Sequence, residues 1–399
     1  MHADSTLIDG FRPLSMITPH TVEEIGELIQ QAAIEKHGVY PIGGATALHL
    51  GFLPTKPGHA VDLRGLNQVI DFPARDMTVT VRAGITIATL QAILARENQR
   101  LPVDVPNADA ATLGGAIAVN ASGPRRFGFG TLRDYVIGIS FMTDAGAEAK
   151  AGGRVVKNVA GYDLCKLHIG ALGTLGIVTQ ATLKLRPVPE SSVLLASTGR
   201  TADLPAILDR LHQSTTQPIC IEIESTDSPS QCRLTVGFEG SAATVGWQAD
   251  RLREELSWPT PMKFEGESAM RERLRLTDAL NPESAKFSFK AGMLPSAMPA
   301  FLARLSESTS MKWQAHAGNG IVIGHSDDHH TLGDASQLLA QLRELAAVGR
   351  GGVVVTRCSP DWNRELRIWG EPLGDFALMR RVKKALDPND LFNPGRLFI

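Results

Sequence analysis

Residues 152 to 186 read GGRVVKNVAGYDLCKLHIGALGTLGIVTQATLKLR. Six glycines surround the polar pairs Lys157-Asn158 and Tyr162-Asp163 before the chain runs into an apolar stretch. Glycines this dense let a backbone approach a flat or anionic ligand that side chains would hold off. The segment Gly170–Gly176 (GALGTLG) has the look of a dinucleotide fingerprint, but that fingerprint must come after a strand and open a helix. These glycines lead instead into Ile177–Leu185, IVTQATLKL, a β-branched strand pattern. The reading excludes a Rossmann domain and predicts a different nucleotide-binding fold.

Two further small-residue loops lie upstream. Pro41–Thr46 ends a short strand in Ile42-Gly43-Gly44-Ala45-Thr46, a bend whose amides can form a nest for phosphate oxygens. It is not a Walker loop, because the Gly-Lys-Ser/Thr ending is absent. Pro106–Gly115 (PNADAATLGG) and Asn120–Gly130 (NASGPRRFGFG) form the other. There Thr112 offers a hydroxyl, and Arg125 and Arg126 offer charge to a phosphate. Three such loops in one half of a chain point to one large cofactor gripped by main chain.

Bulk properties narrow the class. The chain has 399 residues, 43% hydrophobic and 21% charged, which allows two or three domains with sizeable cores. A net charge of -2 gives no electrostatic case for nucleic acid or an anionic membrane. No apolar run approaches the roughly 20 residues of a membrane helix. The start, MHADSTLIDG, carries no secretion signal, so the expected place is the cytoplasm, with peripheral attachment at the inner membrane through partners. Cys165, Cys220, Cys232 and Cys358 form no CxxC pair, so they read as reduced, mostly buried thiols rather than cluster or zinc ligands.

Periodicity predicts a capped helix over Thr18–Ala33, a helix over Ile85–Asn98, and strands at Gly38–Pro41, Ala60–Asp62 and Met77–Arg82. Thr112–Asn120, Val136–Thr143 and Gly176–Leu185 read as strands or strand-rich segments. Beyond Pro187-Val188-Pro189 the glycines thin out. Ile219–Glu224 with Arg233–Phe238 reads as a hairpin, Ala242–Leu256 as a helix, Phe287–Ala291 as a strand and Pro295–Leu305 as a helix. Lys312–His316 with Gly320–Gly324 is a second strand pair, succeeded by a helix at Thr331–Ala347 and a strand at Gly352–Thr356. That order predicts one sheet with helices on one face. A last helix, Asp375–Leu386, stops at Asp387-Pro388. No internal repeat is visible.

The motifs PIGGAT, VRAGITIATLQ, ATLGGAIAVNASG, GTLRDYVIG, GGRVVKNVAGYDLCKL, GTLGIVTQATLKLRP and DPNDLFNPGRLF stand in that order along the chain. The series resembles FAD-linked oxidases of the vanillyl-alcohol oxidase/p-cresol methylhydroxylase type. Within them it is most similar to the D-lactate/glycolate oxidase branch and its FAD-binding E-type subunits. The resemblance is dense over about residues 36 to 190, faint in the middle and clear again at the end. It implies an α+β protein with three parts. These are a two-subdomain FAD-binding (PCMH-type) domain over 1–190, an α+β, ferredoxin-like cap and substrate domain over 191–370, and a 371–399 segment returning to the cofactor.

By the same resemblance, Ile42, Gly43, Gly44, Ala45, Thr46 and Ala47 hold the pyrophosphate. Pro106, Asp109, Thr112, Gly114 and Gly115 line its second face and the ribityl chain. Asn120, Gly123 and Gly130 shape the flavin-side loop, Ile177 and Val178 meet adenine, and Asn393 and Arg396 return to the flavin. Relatives with covalent FAD carry a histidine just after the glycines. Here that place holds Ala45-Thr46-Ala47, and His49 lies too far along, so non-covalent FAD is expected.

The departures are informative. Catalytic members of the branch carry His-x-Gly-Asp-Gly-Asn-x-His and a later Glu-His-Gly that hold a divalent metal. This chain has His316-Ala-Gly-Asn-Gly-Ile-Val-Ile323 and Gly351-Gly352-Val353. One histidine does not anchor a metal against water, so no metal is expected, His316 reads as a core or cap residue, and His329-His330 read as solvated. The arginine that clamps a substrate carboxylate is replaced in Ala291–Pro295; Arg357 and Lys290 are the possible substitutes. No catalytic residue is named. These losses fit an FAD-binding subunit of a glycolate (2-hydroxy acid) oxidase complex, partnered by a D-type FAD subunit and an iron–sulfur subunit. The alternatives are a stand-alone FAD-dependent dehydrogenase of another substrate and a flavin-loaded assembly subunit.

Overall fold

A computed structural model describes residues 7–153, 163–258, 260–307, 311–328, 331–371 and 374–397. Lys157, Asn158, Tyr162, His329 and His330 lie outside the described residues. The chain divides into two compact units. One comprises Met1–Ala121, Thr131–Val188 and Glu371–Ile399, the other Ser122–Gly130 and Pro189–Gly370.

In the first unit, the Thr21 side chain accepts the Glu24 amide at 3.2 Å and starts helix α1, Val22–Glu35. Lys36, at φ 58°, ends it. One face of α1 buries Ile25, Ile29 and Ala32 against Val39, Val61, Met142, Ile177 and Phe392. Each fully buried isoleucine is worth about 2 kcal/mol of transfer free energy. Under α1 lies a parallel sheet of β1 (Ser15–Ile17), β2 (Gly38–Ile42) and β3 (Gly58–Asp62), in the order β1-β3-β2. The Val39 amide donates to Leu391 O at 2.7 Å and the Asn393 amide to Val39 O at 3.0 Å, so residues 391–393 run beside β2.

A second sheet is antiparallel. It contains β4 (Val69–Asp71), β5 (Thr78–Arg82), β6 (Val136–Met142), β7 (Glu148–Gly152) and β8 (Ile177–Lys184), ordered β4-β5-β8-β6-β7. Gly176 therefore does run into a strand. Helix α2 (Ile87–Ala95) is capped by Thr86. Thr112–Asn120 is not strand: Leu113–Val119 is helix α3. The Thr112 hydroxyl accepts the Gly115 amide at 3.3 Å, and Asn120 closes the helix at φ 50°. Apolar β-branched runs this short do not separate strand from helix, and here the caps decide.

The second unit is one eight-stranded antiparallel sheet. Its first half runs β9 (Ser191–Arg200), α4 (Leu204–Gln213), β10 (Cys220–Ser225), β11 (Gln231–Gly240), α5 (Ala242–Leu256) and β12 (Met262–Glu265). After helix α6 (Gly266–Asp278) the second half repeats the order: β13 (Phe287–Gly292), α7 (Met298–Ser306), β14 (Lys312–His316), β15 (Ile321–Ser326), α8 (Leu332–Val348) and β16 (Gly352–Arg357). The sheet order is β12-β9-β11-β10-β14-β15-β13-β16. Each half is thus a ferredoxin-like βαββαβ unit, and the equivalent strands β10 and β14 meet antiparallel at the seam. The sequence shows no repeat, yet the structure has one; backbone order is duplicated where side chains are not.

Candidate functional site

In the first unit the expected loops come together. A Cβ built on Gly43 would lie 2.0 Å from Thr112 Oγ1, and one on Gly44 only 1.7 Å from Ala110 O. Only glycine lets the bend after β2 rest on the segment that leads into α3. Ala45, at φ 59°, turns the bend. Among the described residues, the amides of Gly44, Ala45 and Ala47 find no main-chain acceptor. Leu113 and Gly114 donate to Ile85 O and Ala83 O at 2.8 and 2.7 Å, fixing the second loop on the strand side of α2. Pro106 is half-buried and Asp109 is exposed at the tip of that loop.

The C-terminal end of α3 leads to the third loop. Gly170 and Leu172 donate to Ile117 O and Ala118 O at 3.0 and 2.8 Å. The Leu172 carbonyl in turn accepts from Asn393 Nδ2 at 2.7 Å. Gly173 faces Pro41, whose ring a Cβ there would approach to 3.2 Å. The contacts close a circuit of the bend after β2, the 106–115 segment, α3 and the 170–176 loop. Asn120 Oδ1, at the end of α3, is buried with no hydrogen-bond partner among the described residues. Ile177 and Val178 are buried and open β8.

Arg396 does not extend into open space. Its guanidinium donates to Phe52 O at 2.8 Å and to the carbonyls of Leu48 and Leu50. It is 5% exposed, and burial pulls its pKa down. Its place is that of a brace beneath the first loop, a role the resemblance did not specify. Asp387 accepts the Leu391 and Phe392 amides, each at 2.9 Å, and pairs with Lys383. The whole 387–396 turn is thereby held against β2.

Gly123 and Gly130 belong to the second unit, with the rest of Ser122–Gly130. There Gly128 donates to Ile219 O at 2.9 Å, and a Cβ on Gly318 would strike the Phe127 ring at 2.3 Å. Arg125 is not free for a phosphate: it sits 3.4 Å from Glu239, whose side chain is 1% exposed and which also meets Arg273. A carboxylate that deeply buried needs its counter-charge.

The cross-strand rows of the eight-stranded sheet in the second unit place Glu222, His316, Ile321 and Gly292 side by side, and next to them Glu224, Gln314, Ile323 and Lys290. Phe289, on the opposite face, packs on Phe301 of α7, so these two rows look away from α7. His316 Nδ1 lies 2.8 Å from Glu222 Oε1, with both residues buried, and Gln314 Nε2 donates to Glu222 Oε2 at 2.7 Å. Sequence reading found His316 but not its carboxylate partner. The alternation in Cys-Ile-Glu-Ile-Glu over 220–224 was the available signal. Arg357 is held by Glu283 O, Ala285 O and Asn281, which removes it as a substrate clamp. Among the described residues, the charged neighbour of Lys290 is a second cation, Arg126; burial first, then Arg126, lowers the lysine pKa.

Known proteins resemble the chain along these same features. A family described as FAD binding domain matches residues 13–152, and one described as FAD linked oxidases, C-terminal domain, matches residues 371–397. D-2-hydroxyglutarate dehydrogenase of Xanthomonas citri pv. viticola is 28% identical over 97% of this chain and 89% of its own length. A probable mitochondrial D-lactate dehydrogenase of Danio rerio is 37% identical over 99% of this chain and 86% of its own. Glycolate oxidase subunit GlcE of Escherichia coli is 33% identical, over 49% of this chain and 55% of its own. Among solved structures, alkyldihydroxyacetonephosphate synthase superposes with a TM-score of 0.68 at 19% identity, covering 96% of this chain and 77% of that one. No described helix is long and apolar enough to cross a membrane.

Proposed function

The chain belongs to the FAD-linked oxidase family, and from that premise we propose that it is the FAD-binding subunit of a complex that oxidises a small 2-hydroxy acid, glycolate foremost. The observation that carries the reading is the closed circuit of glycine loops in the first unit. Among the described residues, it presents amides at Gly44, Ala45 and Ala47 without main-chain acceptors and a buried, unsatisfied acceptor at Asn120 Oδ1. Those groups fit a large cofactor with a diphosphate and polar ring edges.

Bound FAD would supply two-electron oxidation of a CH–OH group. The chain's own residues do the holding. Ile42–Ala47 present amides to the diphosphate, while Pro106, Asp109, Thr112, Gly114 and Gly115 line its other side. Asn120 would accept a hydrogen bond from the cofactor; Gly123 and Gly130, which the resemblance assigns to the flavin-side loop, belong to the second unit. Ile177 and Val178 flank adenine, and Asn393 and Arg396 hold the loops from below. The bond is non-covalent, because no histidine comes directly after the glycines. On the second unit, Lys290 of β13 is the remaining candidate for meeting a substrate carboxylate. The first histidine of the family's metal motif is bonded to Glu222, and the aspartate and second histidine positions hold Asn319 and Ile323. That donor set does not suit a divalent metal at this place. It supports reliance on a D-type subunit and an iron–sulfur subunit for full turnover.

A second reading, a stand-alone dehydrogenase, is favoured by the near full-length alignment with proteins named as D-2-hydroxyglutarate and D-lactate dehydrogenases. Anaerobic titration separates the two. Purified alone, the chain is expected to keep its flavin oxidised with glycolate and to bleach only with co-purified partners present. Bleaching of the isolated chain by D-2-hydroxyglutarate or D-lactate would establish the second reading. A colourless chain that takes up no FAD would sink both. Acid precipitation is expected to leave the flavin in the supernatant.

A further inference from the structure

We propose that the first unit carries a surface site for a borderline divalent metal ion such as Zn2+, built by Glu35, His37 and His59 and separate from the loops assigned to FAD. Glu35 is the last residue of α1, His37 precedes β2, and His59 is the second residue of β3. The end of the helix and the start of the parallel sheet thus deliver three ligands to one point.

The geometry is that of a metal half-site. His37 Nδ1 lies 2.9 Å from Glu35 Oε2 and 3.3 Å from His59 Nε2, and His59 Nε2 lies 3.7 Å from Glu35 Oε2. A tetrahedral zinc with bonds near 2.0–2.1 Å has ligand–ligand edges of about 3.3 Å. The three edges here scatter about that value. Glu35 Oε2 can accept from both imidazoles, and one central cation would satisfy the same three atoms at once.

The outer atoms of the ligands are also held. Ser15 Oγ lies 2.8 Å from His59 Nδ1, on β1, whose Ser15 is the register partner of His59. With the Nδ1 proton directed at Ser15, the lone pair of His59 is on Nε2, facing the other two ligands. Gln31, one turn back on α1, binds the other oxygen of Glu35, leaving Oε2 for the site. The ligand side chains are 36%, 27% and 20% exposed for Glu35, His37 and His59, so an ion has direct entry and the fourth position is open to water. Two imidazoles with one carboxylate and water match zinc and neighbouring ions rather than calcium or magnesium.

The test is Co2+ titration of the chelator-treated full chain, read at wavelengths beyond the flavin bands and completed by displacement with Zn2+. One equivalent per chain, with the absorption of four- or five-coordinate Co2+, is expected. His59→Ala and His37→Ala should abolish it, while His212→Ala, an exposed histidine elsewhere, should change nothing. Ser15→Ala should keep the stoichiometry and weaken affinity by about 10- to 100-fold. X-ray absorption of the Zn2+-loaded wild type should show two imidazoles and oxygen ligands, a readout that needs no variant to fold. Wild-type binding no tighter than that of the double histidine variant, or a shell without two imidazoles, would overturn the site.

Discussion

At Gly44 a single added methyl group would sit 1.7 Å from the Ala110 carbonyl oxygen, a backbone atom that cannot swing aside. Gly44→Ala should therefore separate the first loop from the second. The expected result is a folded chain with normal far-ultraviolet circular dichroism and less than about a tenth of the wild-type flavin absorbance; full flavin loading would refute the loop assignment. His168 is a second residue whose surroundings make a forecast. It is 3% exposed against the Phe141 ring, and burial lowers its pKa from 6.5 to about 4. The unfolded chain then binds the extra proton first as pH falls below 6.5, so stability present above that value is lost between pH 6.5 and 4. At pH 5 this one imidazole should cost about 2 kcal/mol relative to pH 7, and His168→Leu should flatten that part of the urea-midpoint profile. At this scale the sequence told much about the glycines, because close approach is written in the residue type itself. It told little about Arg125, whose partner Glu239 lies 114 residues away and could not be read from local pattern.

Among the elements, the residues after the C-terminal helix carry the most. Asp387 takes two main-chain amides and the Lys383 ammonium while 2% exposed, and Lys383 also reaches Thr174 O at 2.8 Å and Phe392 O at 2.9 Å. Asp387→Ala should leave two amides without their acceptor and Lys383 with Asp390 as its remaining counter-charge, and destabilise the first unit by about 2–3 kcal/mol. Hydrogen exchange at Val39 and Asn393 would report it; protection equal to wild type would disprove the arrangement. Periodicity located this helix and most of the strands, since each is a long local pattern. It misassigned Thr112–Asn120, where the N-cap hydrogen bond of Thr112 outweighs an apolar run, and it passed over α6, whose Glu272 and Arg275 look solvent-bound in sequence. In the fold Arg275 forks onto Glu224 at 2.8 and 2.7 Å.

For the molecule as a whole, chain order and unit membership diverge. Ser122–Gly130 stands between two stretches of the first unit and yet packs in the second, where Arg125 and Arg273 share Glu239. Arg125→Met should then lower the stability of the second unit by about 3 kcal/mol, seen as faster exchange along β11, with the first unit unaffected. Equal loss in both units would contradict the division. The βαββαβ order of the second half was legible element by element, but its doubling was not, because Ser191–Arg200, Leu204–Gln213 and Met262–Glu265 in the first half went unread. There is also a matter of timing. The segment bridged to β2 and the brace beneath the first loop come from residues 391–396, synthesised after every residue of the second unit. On the ribosome the second unit can fold while the first still lacks this segment, so flavin uptake at the proposed site should wait until residue 396 is made, and a chain broken off before it should stay empty.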